Sequence, residues 1–272
     1  MLASLKYDLT RNGYCVFNIT PIPALKDNYI WLLHDRQHAV VVDPGEAAPV
    51  RAYLDAHWLR LVAILCTHHH GDHVGGICEL VQVYNVPVYG PQQEDISCLS
   101  HAVGEADVVE VQELGIRLDV LGIPGHTRGH IAYLGVGGVF CGDTLFGCGC
   151  GRLFEGTAAQ LFRSLQRLAN LPGETKVYCA HEYTEANIRF ALACEPGNAQ
   201  LKQRQEDASA LRAAGHPTLP STIALEKSTN PFLRCTTQEI IRNVERQAGL
   251  KLTSGNEVAV FAALREWKNN FA

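Results

Sequence analysis

The chain has 272 residues, 47% of them apolar and 19% charged, and a net charge of −5. A chain this long can bury roughly three quarters of its unfolded surface without staples, and its acidic balance argues against nucleic acid as the main partner, because phosphate binding needs a basic face. No apolar run approaches the roughly 18 residues of a membrane-spanning helix, and residues 1–20 lack the apolar core of a secretion signal, so the expected setting is the cytoplasm.

The first dozen residues read as an extension. From there to residue 182 short apolar runs alternate with turns and occasional helices. The expected strands are Tyr29–His34, His38–Val42, Leu61–Thr67, Val86–Tyr89, Arg117–Ile123, Ile131–Gly135, Gly138–Gly142 and Lys176–Ala180. The expected helices are Ala47–His57, Ile77–Tyr84 and Ala158–Leu171, the last opened by a capping box of Thr157 with Gln160. Such a mixture points to sheets covered by helices.

After His181 the composition changes. Glu185–Cys194, Ala199–Ala214, Gln238–Ala248 and Glu257–Lys268 read as amphipathic helices. Pro196-Gly197, Gly215-His216-Pro217 and Asn230-Pro231 punctuate them, and Thr236 with Glu239 offers a second capping box. The expected organisation is a mixed strand-and-helix domain over residues 1–182 and a helical domain over 183–272.

The ten cysteines are scattered. Cys66, Cys141 and Cys179 lie in apolar runs, where a thiol behaves as a small hydrophobe, and a cytoplasmic setting keeps thiols reduced. Cys148 and Cys150, in Gly147-Cys-Gly-Cys-Gly151, lack the spacing and the second pair of a zinc site and read as structural.

Residues 67–73, Thr-His-His-His-Gly-Asp-His, are the most informative stretch. His68, His70, Asp72 and His73 offer two kinds of metal ligand at the end of the apolar run Leu61–Cys66. Imidazole suits zinc and iron, and carboxylate adds hard oxygen and negative charge. Three later residues end apolar runs in the same way: His126 after Leu121–Gly125, Asp143 after Val139–Gly142 and His181 after Val177–Ala180. His69 alternates away from its neighbours, and His34, His38, His57, His101 and His216 follow no ligand pattern and read as surface residues.

The order His68-x-His70-x-Asp72-His73, His126, Asp143, His181 resembles the metallo-β-lactamase superfamily. Asp43, in Val40-Val-Val-Asp-Pro-Gly45, matches that superfamily's first motif, an aspartate that braces the metal loop. Within it the nearest resemblance is to the hydroxyacylglutathione hydrolases (glyoxalase II). That resemblance adds Lys26-Asp-Asn-Tyr29, Gly151-Arg-Leu-Phe-Glu-Gly-Thr157, His181-Glu-Tyr-Thr184, Asn230-Pro-Phe-Leu-Arg234 and Leu264-Arg-Glu-Trp-Lys268, and covers nearly the whole chain. It implies an α/β (α+β) fold: a four-layered αββα sandwich followed by an all-helical C-terminal domain.

The resemblance also implies two divalent metal ions, Zn2+ first and Fe2+ or Mn2+ as alternatives. His68, His70 and His126 would hold one, and Asp72, His73 and His181 the other. Asp143 would bridge them, so that Asp72 and Asp143 act in catalysis with a hydroxide between the ions. Arg152, Phe154, Tyr183, Arg265 and Lys268 would bind a glutathione thioester, the last two taking its glycine carboxylate. Phe154 stands where some members have tyrosine. His130 would be structural or would brace a ligand.

The chemistry fits. Metal binding lowers the pKa of water to about 7 and can polarise a carbonyl. A thiolate, whose conjugate acid has a pKa near about 8.5, departs without a strong general acid. The expected activity is hydrolysis of S-D-lactoylglutathione to D-lactate and glutathione, the second step of methylglyoxal detoxification, by a monomer that binds neither membrane nor nucleic acid. A glutathione-persulfide oxygenase of the same superfamily is the alternative, and Arg265 with Lys268 speaks against it.

Overall fold

The computed structural model describes residues 18–252 and 255–271, so the expected N-terminal extension lies outside the described residues. The backbone packs as two compact units: residues 18–122 with 129–142, and residues 123–128 with 143–271.

The first unit carries β1 (Asn18–Ala24), β2 (Asn28–His34), β3 (His38–Val42), α1 (Ala47–His57), β4 (Arg60–Leu65), α2 (Gly71–Val74), α3 (Ile77–Tyr84), β5 (Val88–Pro91), β6 (His101–Val103), β7 (Val108–Val111), β8 (Ile116–Gly122), β9 (Ile131–Gly135) and β10 (Gly138–Gly142). Strands β1 to β6 form one sheet in sequence order. It is antiparallel across β1, β2 and β3, and parallel from β3 to β6. Strands β7, β8, β9 and β10 form an antiparallel ladder.

All seven residues of β2 are buried, which a strand achieves only when both its faces are covered. Ile30 and Leu32 point into a core shared with Val50 and Leu54 of α1 and Ile77 and Leu80 of α3. Trp31 and Leu33 alternate to the other face. On β9 the buried Tyr133 hydroxyl donates to the Cys66 carbonyl at 2.9 Å and lies 3.2 Å from that of Tyr89, so it ties the second ladder to the ends of β4 and β5. Burial pushes this phenol well above its ordinary pKa.

The second unit carries β11 (Leu145–Phe146), β12 (Gly149–Cys150), α4 (Ala158–Ala169), β13 (Lys176–Cys179), α5 (Thr184–Cys194), α6 (Ala199–Ala213), β14 (Ser221–Thr222), α7 (Ile223–Thr229), α8 (Gln238–Ala248) and α9 (Glu257–Asn269). β11 pairs with β12 and β13 with β14, both antiparallel. The Thr157–Gln160 capping box is formed.

Several expectations are corrected. Strand β1 contains Pro21 and Pro23 and is invisible to strand propensity; it survives because it lies at the sheet edge, where a missing N–H is tolerated. Helix α8 is capped at Thr237 without a side-chain bond, and Glu239 accepts from Gly197 N instead of closing a box with Thr236. His34 is buried and accordingly lowered in pKa, and Thr20 Oγ1 lies 3.3 Å from its Nε2. Cys78 and Cys98 are joined in a disulfide, whereas Cys66, Cys141 and Cys179 are buried thiols as expected.

Glycines let two backbone segments of the first unit lie directly on each other. A Cβ on Gly45 would sit 1.9 Å from the Asp72 carbonyl oxygen, and one on Gly76 2.5 Å from Ala47 N. Gly76 N also donates to Pro44 O at 2.9 Å. Gly71 has nothing within 4 Å of such an atom. Gly76→Ala is therefore expected to lose about 1–3 kcal/mol, and Gly71→Ala to stay within about 0.5 kcal/mol of the parent. Urea unfolding midpoints at matched m-values check this, and equal losses would contradict it.

Candidate metal centre

One group of candidate ligands lies wholly within the first unit. Asp43 follows β3 in the left-handed region, φ 53°, a conformation that aspartate tolerates better than most residues. Its Oδ1 accepts from Thr67 N at 2.7 Å; its Oδ2 accepts from Thr67 Oγ1 at 2.7 Å and from His73 Nδ1 at 3.0 Å. The Thr67 hydroxyl has given its proton to Asp43, so it accepts from His68 Nδ1 at 3.1 Å. His68 Nε2 then lies 3.1 Å from His70 Nδ1. One ligand atom each of Asp43, His68 and His73 falls within 4.8 Å of the others, and all three residues are buried.

Asp72 is half-buried. Asn28 Nδ2 donates to its Oδ2 at 3.1 Å and to its carbonyl at 3.3 Å, and His73 Nε2 lies 3.5 Å from the same carboxylate. His69 turns towards the buried Glu94, at 2.9 Å. His130 stacks on His68 with ring centroids 4.6 Å apart, and its Nδ1 donates to the Ile131 carbonyl.

Another group of candidate ligands lies within the second unit. His126, Asp143 and His181 follow β8, β10 and β13 in sequence, and all three are buried. One Asp143 oxygen is 3.5 Å from His126 Nε2 and the other 3.3 Å from His181 Nε2. His126 Nδ1 donates to the Arg152 carbonyl at 2.9 Å.

The candidate substrate residues divide by exposure. The Arg152 side chain is exposed. Phe154, 64% exposed, meets the His126 ring edge-on at 5.2 Å. Tyr183 stacks on His181 at 4.7 Å. Neither Arg265 nor Lys268 lies on a solvated helix face. Arg265 is 4% exposed, donates to Cys150 O at 2.9 Å and lies over the Phe232 ring. Lys268 donates to Ala186 O at 3.2 Å beside the Phe190 ring, and burial, then Arg265 and Arg189, bring its pKa down to about 8.

The donor set suits a metal. His68, His73 and His126 each give the Nδ1 proton to a fixed acceptor, so each Nε2 keeps its lone pair for an ion. Imidazoles with carboxylates fit Zn2+, Fe2+ and Mn2+. Thr67, Asn28 and Glu94 escaped the sequence reading as parts of this site. Asn28 sits in the Lys26–Tyr29 motif and Thr67 directly precedes the His68–His73 motif, while nothing near Glu94 in sequence signals a role.

Residues 25–181 match the family model of the metallo-beta-lactamase superfamily, and residues 182–271 that of the hydroxyacylglutathione hydrolase C-terminus. A hydroxyacylglutathione hydrolase of Nitrosomonas europaea is 53% identical over 94% of this chain and 97% of its own. One of Aliivibrio salmonicida is 56% identical over 93% of this chain and 99% of its own. Among solved structures, ETHE1 from Myxococcus xanthus superposes with a TM-score of 0.62 at 29% identity, covering 92% of this chain and 98% of that one. The αββα fold with a helical C-terminal region is thus that of the metallo-β-lactamases, and the chain belongs to their hydroxyacylglutathione hydrolase family of metallohydrolases.

Proposed function

We propose that this enzyme hydrolyses S-(2-hydroxyacyl)glutathione, chiefly S-D-lactoylglutathione, to D-lactate and glutathione, the second step of methylglyoxal detoxification. The observation that carries the reading is Asp143, with a different oxygen towards each of His126 and His181, at 3.5 and 3.3 Å. A carboxylate so shared suits a bridge between two cations. On the family's pattern, one ion belongs to His68, His70 and His126, and the other to Asp72, His73 and His181. Zn2+ is the first choice, with Fe2+ or Mn2+ next. When bound, such ions lower the pKa of water to about 7 and neutralise charge developing on a carbonyl oxygen.

The chain's own residues do the rest. Asn28 fixes the Asp72 carboxylate, and Asp43 with Thr67 fixes the rings of His68 and His73. Water adds to the thioester carbonyl, the C–S bond breaks and the thiolate leaves with the electron pair; it needs no strong acid, since its conjugate acid has a pKa near about 8.5. Phe154 offers an apolar face, Tyr183 a hydroxyl and Arg152 a cation to the glutathionyl peptide. Arg265 and Lys268 take the glycine carboxylate. In this reading residues 1–182 are the catalytic domain and 183–272 the substrate-binding domain, the enzyme is a cytoplasmic monomer, and neither membrane nor nucleic acid is a partner.

Steady-state hydrolysis of S-D-lactoylglutathione, beside the same acyl group on a simple thiol, tests the reading. A high kcat/KM confined to the glutathione thioester is expected. Equal, slow rates on both would remove glutathione, and oxygen uptake with glutathione persulfide would replace hydrolysis by oxygenation.

Asp143→Asn is expected to lower kcat about 100-fold or more and to reduce bound metal, read by elemental analysis of the purified protein. Lys268→Ala is expected to raise KM about tenfold with little change in kcat, because the clamp holds ground and transition states alike. The cationic form of Lys268 binds the carboxylate, and its pKa is lowered to about 8. KM is therefore expected to be flat below pH 8 and to rise above it, whereas Lys268→Arg keeps it flat to higher pH. A KM profile shared by both proteins would exclude Lys268 as its source.

A further inference from the structure

The run Gly147-Cys-Gly-Cys-Gly151 includes β12, and main-chain atoms of four successive residues, Gly147 to Cys150, each bond a different side chain of the second unit. Asn187 Nδ2 donates to Gly147 O at 3.0 Å, Cys148 N donates to Glu226 Oε2 at 2.8 Å, Asn230 Nδ2 donates to Gly149 O at 2.9 Å, and Arg265 Nη1 donates to Cys150 O at 2.9 Å. The glycines are needed for this approach: a Cβ on Gly147 would lie 2.3 Å from Thr184 Oγ1, and one on Gly149 2.3 Å from Asn187 Nδ2. Cys148 takes a left-handed φ of 57° to present its N–H.

The Gly151 end of this run lies against Asp143 and His126. Gly151 N donates to Thr144 O at 3.1 Å, beside Asp143. A Cβ on Gly151 would fall 1.9 Å from Asp143 O and 3.1 Å from His126 Nδ1. The next carbonyl, that of Arg152, fixes the His126 proton. The central holder is Asn230, which is 0% exposed. Its Nδ2 also donates to Glu226 Oε2 at 3.0 Å, and its Oδ1 accepts from Phe232 N at 3.1 Å. Glu226, equally buried, is paired with Arg204.

We propose that Asn230 is a positioning residue for the metal centre: from the helical part of the chain it fixes the Gly147–Gly151 backbone, and through it Asp143 and the His126 ring. The proposal rests on the hydrolase reading above for its activity arm only. Removing a group that orients a metal ligand typically weakens metal binding or activity about 10–100-fold.

The test compares Asn230→Ser with Asn198→Ser. The first keeps an acceptor near Phe232 N but cannot reach Gly149. The second likewise keeps a capping oxygen and loses amide donors, at a half-buried position: Asn198 accepts from Leu201 N, donates to Ser228 O and Glu195 Oε2, and has no bond to the run. Three quantities are read: hydrogen exchange of the 143–152 segment in chelator-treated protein, the rate of metal loss to a chelator, and kcat against KM. Asn230→Ser is expected to speed exchange in that segment and metal loss by about tenfold or more, and to lower kcat more than it raises KM. Asn198→Ser is expected to lower the melting temperature while leaving all three as in the parent. Equal changes in both variants, or an Asn230→Ser protein that keeps the parent's exchange and metal retention, would overturn the proposal. If Asn230→Ser does not fold, Asn187→Ser, which loses only the bond to Gly147 O, takes its place under the same criteria. A parent that binds metal without hydrolysing the thioester would fail the functional reading, while exchange and metal loss still decide the role of Asn230.

Discussion

The carboxylate of Asp43 is the constraint on which the candidate ligands of the first unit depend. A buried carboxylate is stable only when its lone pairs are taken up, and here three donors do so: the Thr67 amide, the Thr67 hydroxyl and His73 Nδ1. Each of those bonds has a consequence elsewhere. The amide bond ties the end of β3 to the residue that follows β4. The hydroxyl bond decides the direction of the Thr67 proton, and with it the tautomer of His68. The bond to His73 decides a second tautomer. One acid therefore aims two imidazoles, and the left-handed backbone at Asp43 is what brings its carboxylate to them.

The glycines on either side of this acid follow from the same demand. For Asp43 to reach both Thr67 and His73, the Asp43–Ala47 segment must lie against the Asp72–Gly76 turn at backbone distance. Side chains at Gly45, Gly75 or Gly76 would each fall under 3 Å from main-chain atoms. The metal motif and the Asp-Pro-Gly motif, some thirty residues apart, are thus two faces of one packing contact, and a short helix such as α2 can hold ligands because its surroundings leave its backbone no room to shift.

Much of this was legible in the sequence, and the reasons differ by element. Strands β3, β9 and β10 are short apolar runs between turn residues, and their bounds follow from composition alone. Four of the seven candidate ligands stand out as a cluster after one such run, and His126, Asp143 and His181 because each ends another. What escaped is what depends on partners far away in the chain. Pro21 and Pro23 argue against a strand until the edge position of β1 is known. Thr67 reads as an ordinary strand end, and its role exists only because Asp43, 24 residues earlier, faces it. Glu94 sits 25 residues from the His69 it holds. Cys78 and Cys98, 20 residues apart with no local pattern, gave no sign of their bridge. The Gly147–Gly151 run was read as structural, yet its structure is written in Asn187, Glu226, Asn230 and Arg265, up to 115 residues away.

The two basic residues of α9 meet burial differently, and the difference bears on the anion-binding role proposed for them. Among the described residues neither Arg265 nor Lys268 makes an ion pair; their partners are carbonyls, an asparagine and aromatic rings. A guanidinium cannot shed its proton to escape an apolar site, and Arg265 places Nη1 on Cys150 O and Nε on Asn269. An ammonium can, and Lys268, next to Arg265 and Arg189, gives way to a pKa of about 8. Its charge is held against desolvation and two like charges, and a carboxylate arriving beside it would relieve that repulsion and draw the proton back. The pair therefore combines a cation bonded to a neighbouring backbone carbonyl with one whose protonation a nearby anion would favour. Since Arg265 donates to Cys150, the residues that would hold glutathione and the loop that carries Asp143 share a hydrogen bond. In the proposed function, substrate recognition and ligand placement would then be two demands on the same stretch of backbone.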